Sequence, residues 1–141
     1  MMGFIYVLAD KLRNHLRQRR WAEDQASGRR GEDIAHRFLQ RAGIVIVARN
    51  YRIATGAGEI DLVGWENDRL VIVEVKARKS GEYGAPDRAI GDEKKQSLLR
   101  AARDYARRAE APWEKVRFDV VNVLLATPPS VTHFRDVLST L

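Results

Sequence analysis

The stretch Gly58-Glu59-Ile60-Asp61-Leu62-Val63-Gly64-Trp65-Glu66-Asn67-Asp68-Arg69-Leu70-Val71-Ile72-Val73-Glu74-Val75-Lys76 reads as two apolar strands joined by a polar turn. If Asn67-Asp68 is a two-residue turn, both residue types tolerating positive φ, counting outward sets Asp61 opposite Glu74 and Glu59 opposite Lys76. Residues two apart on a strand share a side, so these four polar side chains project together, while Ile60, Leu62, Val73 and Val75 form the apolar side. Two carboxylates about 5 Å apart repel by about 3 kcal/mol at an effective dielectric near 20. A good cross-strand pair returns only about 0.2 to 1 kcal/mol, so something must compensate. A bound cation, the Lys76 ammonium or a proton on one acid would each serve. A salt-bridged edge hairpin with a solvated polar face would also carry such charges. Leu70 to Val73 is apolar on both faces, however, which is the pattern of a buried strand and favours a functional reason for the acids.

Outward from the hairpin, the chain reads as helix, strand, hairpin, helix, strand, an α/β domain with a mixed sheet covered by helices. Lys11 to Arg30 carries seven basic residues against two acidic. Phe4, Ile5, Leu8, Leu12 and Leu16 have helical spacing, so residues 1–26 read as a basic arm, helical in part and ending near Trp21, ahead of a domain over 27–141. A second helix is expected from Ser27-Gly28 to Ala42, stopped by Gly43, with Ile34, Ala35, Phe38, Leu39 and Ala42 in one arc. Glu32 lies about 80° from the centre of that arc and Asp33 about 180° from it, placing Glu32 at the edge of the buried face. Ile44 to Ala48 is a β-branched strand, followed by Arg49-Asn50-Tyr51-Arg52 and a loop over 54–58. Ala77 to Gly91 is broken by Gly81, Gly84 and Pro86 and reads as loop. Asp92 can cap a helix to about Ala109 whose packed face carries Leu98, Ala102, Tyr105 and Ala109, with Lys94 toward that face and Arg100, Arg103 and Arg107 opposite. Val116 to Leu125 is a strand, and Val131 to Val137 a short end strand or turn.

Composition narrows the chemistry. The chain has 141 residues, no cysteine and three histidines without paired spacing, which excludes thiolate chemistry and argues against a histidine-built zinc site. Carboxylate oxygens remain, and these suit hard ions such as Mg²⁺ or Mn²⁺. A net charge of +6 points to a polyanionic partner, nucleic acid first and an anionic membrane surface second. The apolar run Phe4 to Ala9 is too short for a membrane span or signal core, so a soluble cytoplasmic protein without membrane association is expected.

An acid at Asp61, twelve residues, then Glu74-Val75-Lys76 resembles the PD-(D/E)XK nuclease signature, with Ile60 in place of its proline. Gly31-Glu32-Asp33-Ile34-Ala35, Arg49-Asn50-Tyr51-Arg52, Gly58 to Leu62, Val73 to Lys76, Lys94 and Arg117-Phe118-Asp119-Val120-Val121 follow in an order that closely resembles the YraN-like family of bacterial proteins, predicted endonucleases distantly similar to archaeal Holliday-junction resolvases. The resemblance runs from about Gly28 to the end. It implies a restriction-endonuclease-like fold, a mixed central β-sheet flanked by helices. It implies Asp61 and Glu74 as metal ligands, Glu32 assisting, Lys76 as catalytic lysine, and Lys94 on phosphate. Arg30, Arg49 and Arg52 are further candidates for a phosphate backbone, Glu59 for orienting Lys76, and Asp119 for pairing with Arg117 or for plain structural polarity. The expected activity is Mg²⁺- or Mn²⁺-dependent cleavage of nucleic acid, structured or branched DNA above all. Resolvase-like chemistry needs two cuts and so implies a homodimer by analogy. A nucleic-acid-binding module that does not cut, on the same fold, is the alternative.

Overall fold

The computed structural model describes residues 2–79 and 85–138, with the side chains of 2–6, 20 and 21 excepted. The order is α1 (Met2–Arg41), β1 (Val45–Arg52), β2 (Glu59–Glu66), β3 (Arg69–Lys79), α2 (Asp92–Arg108), a short 3₁₀ turn (Trp113–Lys115), β4 (Val116–Leu125) and β5 (Ser130–Phe134). Five strands lie in the order β1-β2-β3-β4-β5, antiparallel except for β3 and β4, which run parallel. The parallel pair needs a crossover, and α2 supplies it.

The hairpin forms on the expected turn. Glu66 pairs with Arg69, Val63 with Ile72 and Leu62 with Val73, and Asn67 takes the positive φ of 54°. β3 is central, and Leu70, Val71, Ile72 and Val73 are wholly buried. Its two faces feed two cores. Val71, Val73 and Leu62 meet Ala35, Leu39 and Ile44 on the α1 side, while Leu70, Ile72 and Val63 meet Leu98, Ala101 and Ala102 on the α2 side.

Ile60 departs from the expected apolar side, packing with the α2 core while Leu62 packs with the α1 core. Regular alternation would put both on one face, so β2 turns over at Asp61. The neighbouring strand does likewise at Asn50, which has φ 51°. Close approach fixes two glycines. A Cβ on Gly31 would fall 2.5 Å from that of Ala77, where α1 crosses β3, and one on Gly58 would fall 2.6 Å from the Ser97 carbonyl oxygen of α2.

Several expected boundaries shift. α1 is one helix of 40 residues, so no new helix starts at Ser27-Gly28; the basic arm continues into the domain helix without a break. Phe4, Ile5 and Trp21 fall where side chains are not described, and Gly81 and Gly84 lie outside the described residues. Ala42 and Ala109 are exposed, each at the end of its helix where the packed face has already passed the sheet. Asp92 lies within α2; Gly91 is its N-cap and provides no side-chain bond. β1 extends through Arg52, and β3 through Lys79 into the stretch expected to be loop. Among the described residues no helix is long and apolar enough to cross a membrane.

Candidate active site

β2 and β3 part company at the acids. Their ladder ends at Leu62 and Val73. Beyond it the Asp61 carboxylate, rather than a backbone carbonyl, accepts the Val75 N–H at 2.8 Å. The expected direct facing of Asp61 on Glu74 and Glu59 on Lys76 therefore does not occur as ladder pairs. Instead the gap between the strands is part of a cavity of ≈ 370 Å³, lined by Asp61, Glu74 and Lys94, by Glu32 of α1, and by Asp24, Ser27 and Gly28 one and two turns earlier on the same helix.

The carboxylates are uneasy there. Burial raises Asp61, against the Val75 hydrogen bond and Lys94. Burial, then the charge of Asp61, pushes Glu74 up to about 8. One Glu74 oxygen, Oε2, is buried without a hydrogen-bond partner. The compensating ammonium is that of Lys94, whose Nζ lies 3.5 Å from Glu74 Oε1 and 3.5 Å from Glu59 Oε1. Burial disfavours its charge, but Glu74, Asp61 and Glu59 together raise it.

Lys76 is not brought to the carboxylates. It projects from the same face of β3 as Glu74, yet its Nζ donates to Asp87 Oδ1 at 2.7 Å and to the Ala89 carbonyl. Glu59 correspondingly binds Lys94 and, at 3.1 Å, Arg52, so it does not orient Lys76. Glu32 stands at the cavity edge and accepts from Asn50 at 3.1 Å. Arg49 is tied to Asp33 at 2.8 Å and lies 3.6 Å from Glu32, linking β1 to α1. Arg30 is exposed on α1 and Arg52 exposed at the end of β1. Asp119 is a buried partner of Arg117, at 2.9 Å through both guanidinium nitrogens Nε and Nη2. Asp24 and Asp87 were not expected; neither sits in a periodic or motif position that would single it out.

Among the described residues no three acidic or histidine side chains converge as an all-protein metal cage. Mg²⁺ and Mn²⁺ do not ask for one, because Mg²⁺-type sites keep several waters and substrate oxygens and take one or two protein carboxylates. Buried Glu74, with one oxygen that has no hydrogen-bond partner, and half-buried Asp61 both line the cavity and fit that demand.

The model of "Uncharacterised protein family UPF0102" matches residues 31–123, which hold every one of these acids except Asp24. The chain belongs to the UPF0102 family. This bears out the family likeness read from the motif order. A UPF0102 protein of Solibacter usitatus is 49% identical over 135 residues, covering 96% of this chain and 98% of its own length. Another, from Rhodococcus opacus, is 39% identical over 117 residues, 82% of this chain and 98% of its own. One from Desulfosudis oleivorans is 43% identical over 99 residues, 70% of this chain and 79% of its own.

Proposed function

We propose that the protein is a divalent-metal-dependent endonuclease acting on nucleic acid, with structured or branched DNA as its substrate. One observation carries this reading: Glu74 is buried beside Asp61 with one carboxylate oxygen that has no hydrogen-bond partner, and both residues line one cavity. Setting a buried carboxyl against a second one costs stability and serves no folding need, whereas a site that holds a cation against a phosphate requires the pair. Asp61 and Glu74 would hold Mg²⁺ or Mn²⁺, which supplies Lewis acidity toward a phosphate and a more acidic bound water. Lys94 binds the substrate phosphate at the cavity mouth, with Glu59 fixing its ammonium. Glu32 closes the α1 side. The motif order and the net charge of +6 support the same substrate class, and a homodimer would allow paired cuts.

Incubation with four-way, single-stranded and duplex DNA, in Mg²⁺ or Mn²⁺ against EDTA, tests it. Metal-dependent cutting lost in Asp61→Ala and Glu74→Ala is expected; cutting that survives both substitutions sinks the reading. A second reading, binding without cleavage, is favoured by Lys76, whose ammonium is engaged away from the acids. It predicts salt-sensitive DNA binding with no metal-dependent products from any substrate.

A further inference from the structure

Lys76 and Arg78 stand two apart on β3 and leave it on one side, the side that carries Glu74. Their cationic ends meet on a single carboxylate. Lys76 Nζ is 2.7 Å from Asp87 Oδ1, and Arg78 Nη2 is 3.3 Å from Asp87 Oδ2. Arg78 Nη1 also donates to the Ala85 carbonyl at 3.1 Å, and Asn122 Nδ2 to the Asp87 carbonyl at 2.7 Å, so the backbone around Asp87 is held against β3 and β4.

The exposures are unequal. The Lys76 and Arg78 side chains are 25% and 15% exposed, that of Asp87 57%. Two cations are thus sunk in the surface, and among the described residues the Asp87 carboxylate lies over both. Asp87 has water enough to need no partner, while the half-buried cations do need an anion. Its two oxygens, one to each cation, offer what the two non-bridging oxygens of a phosphodiester would offer. The hydrogen bond from Lys76 holds Asp87 below the usual carboxylate range, so it is an anion at neutral pH.

We propose that Lys76 and Arg78 form a phosphodiester-binding site whose occupant in the free protein is the Asp87 carboxylate, so that a nucleic-acid phosphate must displace Asp87 to bind beside the Asp61–Glu74 cavity. The proposal rests on the reading that this cavity acts on nucleic acid. Displacement is feasible because Asp87 is 57% exposed, so water can solvate it once it leaves, and a phosphate that takes its place brings the same charge with further contacts along the strand. It also frees Lys76 from a bond that now points it away from the acids.

Two probes test it: inorganic phosphate, followed by the ¹⁵N resonances of the Lys76 and Arg78 side chains, and a fluorescent four-way DNA junction, followed by anisotropy. Asp87→Asn is expected to tighten both by about fivefold. In a Lys76→Gln, Arg78→Gln background the same change is expected to have no effect. Unchanged or weaker binding of both probes by Asp87→Asn overturns the proposal, even if the wild type cuts DNA. Tighter phosphate binding with no cutting by either protein upholds the anion site and defeats the endonuclease reading instead.

Discussion

Glu74 is the residue whose surroundings least suit its charge. Its folded pKa of about 8 lies above the ordinary 4.5, first through burial and then through Asp61. The native state therefore binds the proton more tightly than the unfolded chain does. In EDTA, stability should be full at pH below about 4.5 and decline as pH rises through about 8. Glu74→Gln removes that decline, and thermal melts between about pH 5 and 9 should show a flat, higher midpoint for the variant at the alkaline end. Equal pH slopes would contradict the burial of an ionisable Glu74. Gly58 gives a second expectation: a Cβ there would lie 2.6 Å from the Ser97 carbonyl oxygen and 3.0 Å from the Ala101 nitrogen. Gly58→Ala should cost about 1 to 3 kcal/mol in urea unfolding, since the α2 backbone must give way. Strand counting brings Asp61 and Glu74 together, and they do share one cavity, but not as the facing ladder pair that the count gives. The reach of the lysines was not legible, because three further methylenes separate Cβ from the charge, and only the fold shows that Lys94 reaches Glu74 while Lys76 reaches Asp87.

At the scale of elements, hydrophobic patterning delivered the helices, the hairpin turn and the central strand, each of which is a local property of a short window. It missed the turnover of β2 at Asp61, where alternation breaks and the strands separate to open the site. Local pattern cannot show this, since Ile60 and Leu62 are both apolar and both buried. Of the polar network at the other end of β4, only the Arg117–Asp119 pair was among the expectations. Arg117 bridges Asp119 and Glu66, His133 Nε2 lies 2.7 Å from Asp119 Oδ2, and Arg135 returns to Glu66. These partners come from three strands and the segment after β5. Burial raises Asp119, but hydrogen bonds from His133, Arg117 and the Asp136 N–H outweigh it and leave the carboxyl below 3.8. That stability is present above pH 3.8 and lost as pH falls through the folded value. Asp119→Asn should therefore cost about 3 kcal/mol in urea unfolding at neutral pH, with the deficit shrinking in acid as the wild type protonates. A neutral-pH loss below about 0.5 kcal/mol would contradict a buried ion pair there.

The molecule as a whole is a two-cored α/β/α layer domain with a long basic helix running on from it. Val7, Leu8, Leu12 and Leu16 are 52%, 52%, 59% and 51% exposed, so this part of α1 adds little to either core. Removing residues 1–19 should leave the thermal midpoint within about 3 °C, and a larger drop would mean that the segment packs on the domain. The candidate site lies instead between α1, β2, β3 and α2, whose Asp24, Glu32, Asp61, Glu74, Lys79 and Lys94 all line one cavity. The most direct measurement of the central claim is the anomalous difference density of a crystal soaked in Mn²⁺. A single strong peak between the Asp61 and Glu74 carboxylates, absent in Glu74→Gln, is the predicted result. No peak there, with the wild-type carboxylates ordered and Lys94 still against Glu74, would contradict it.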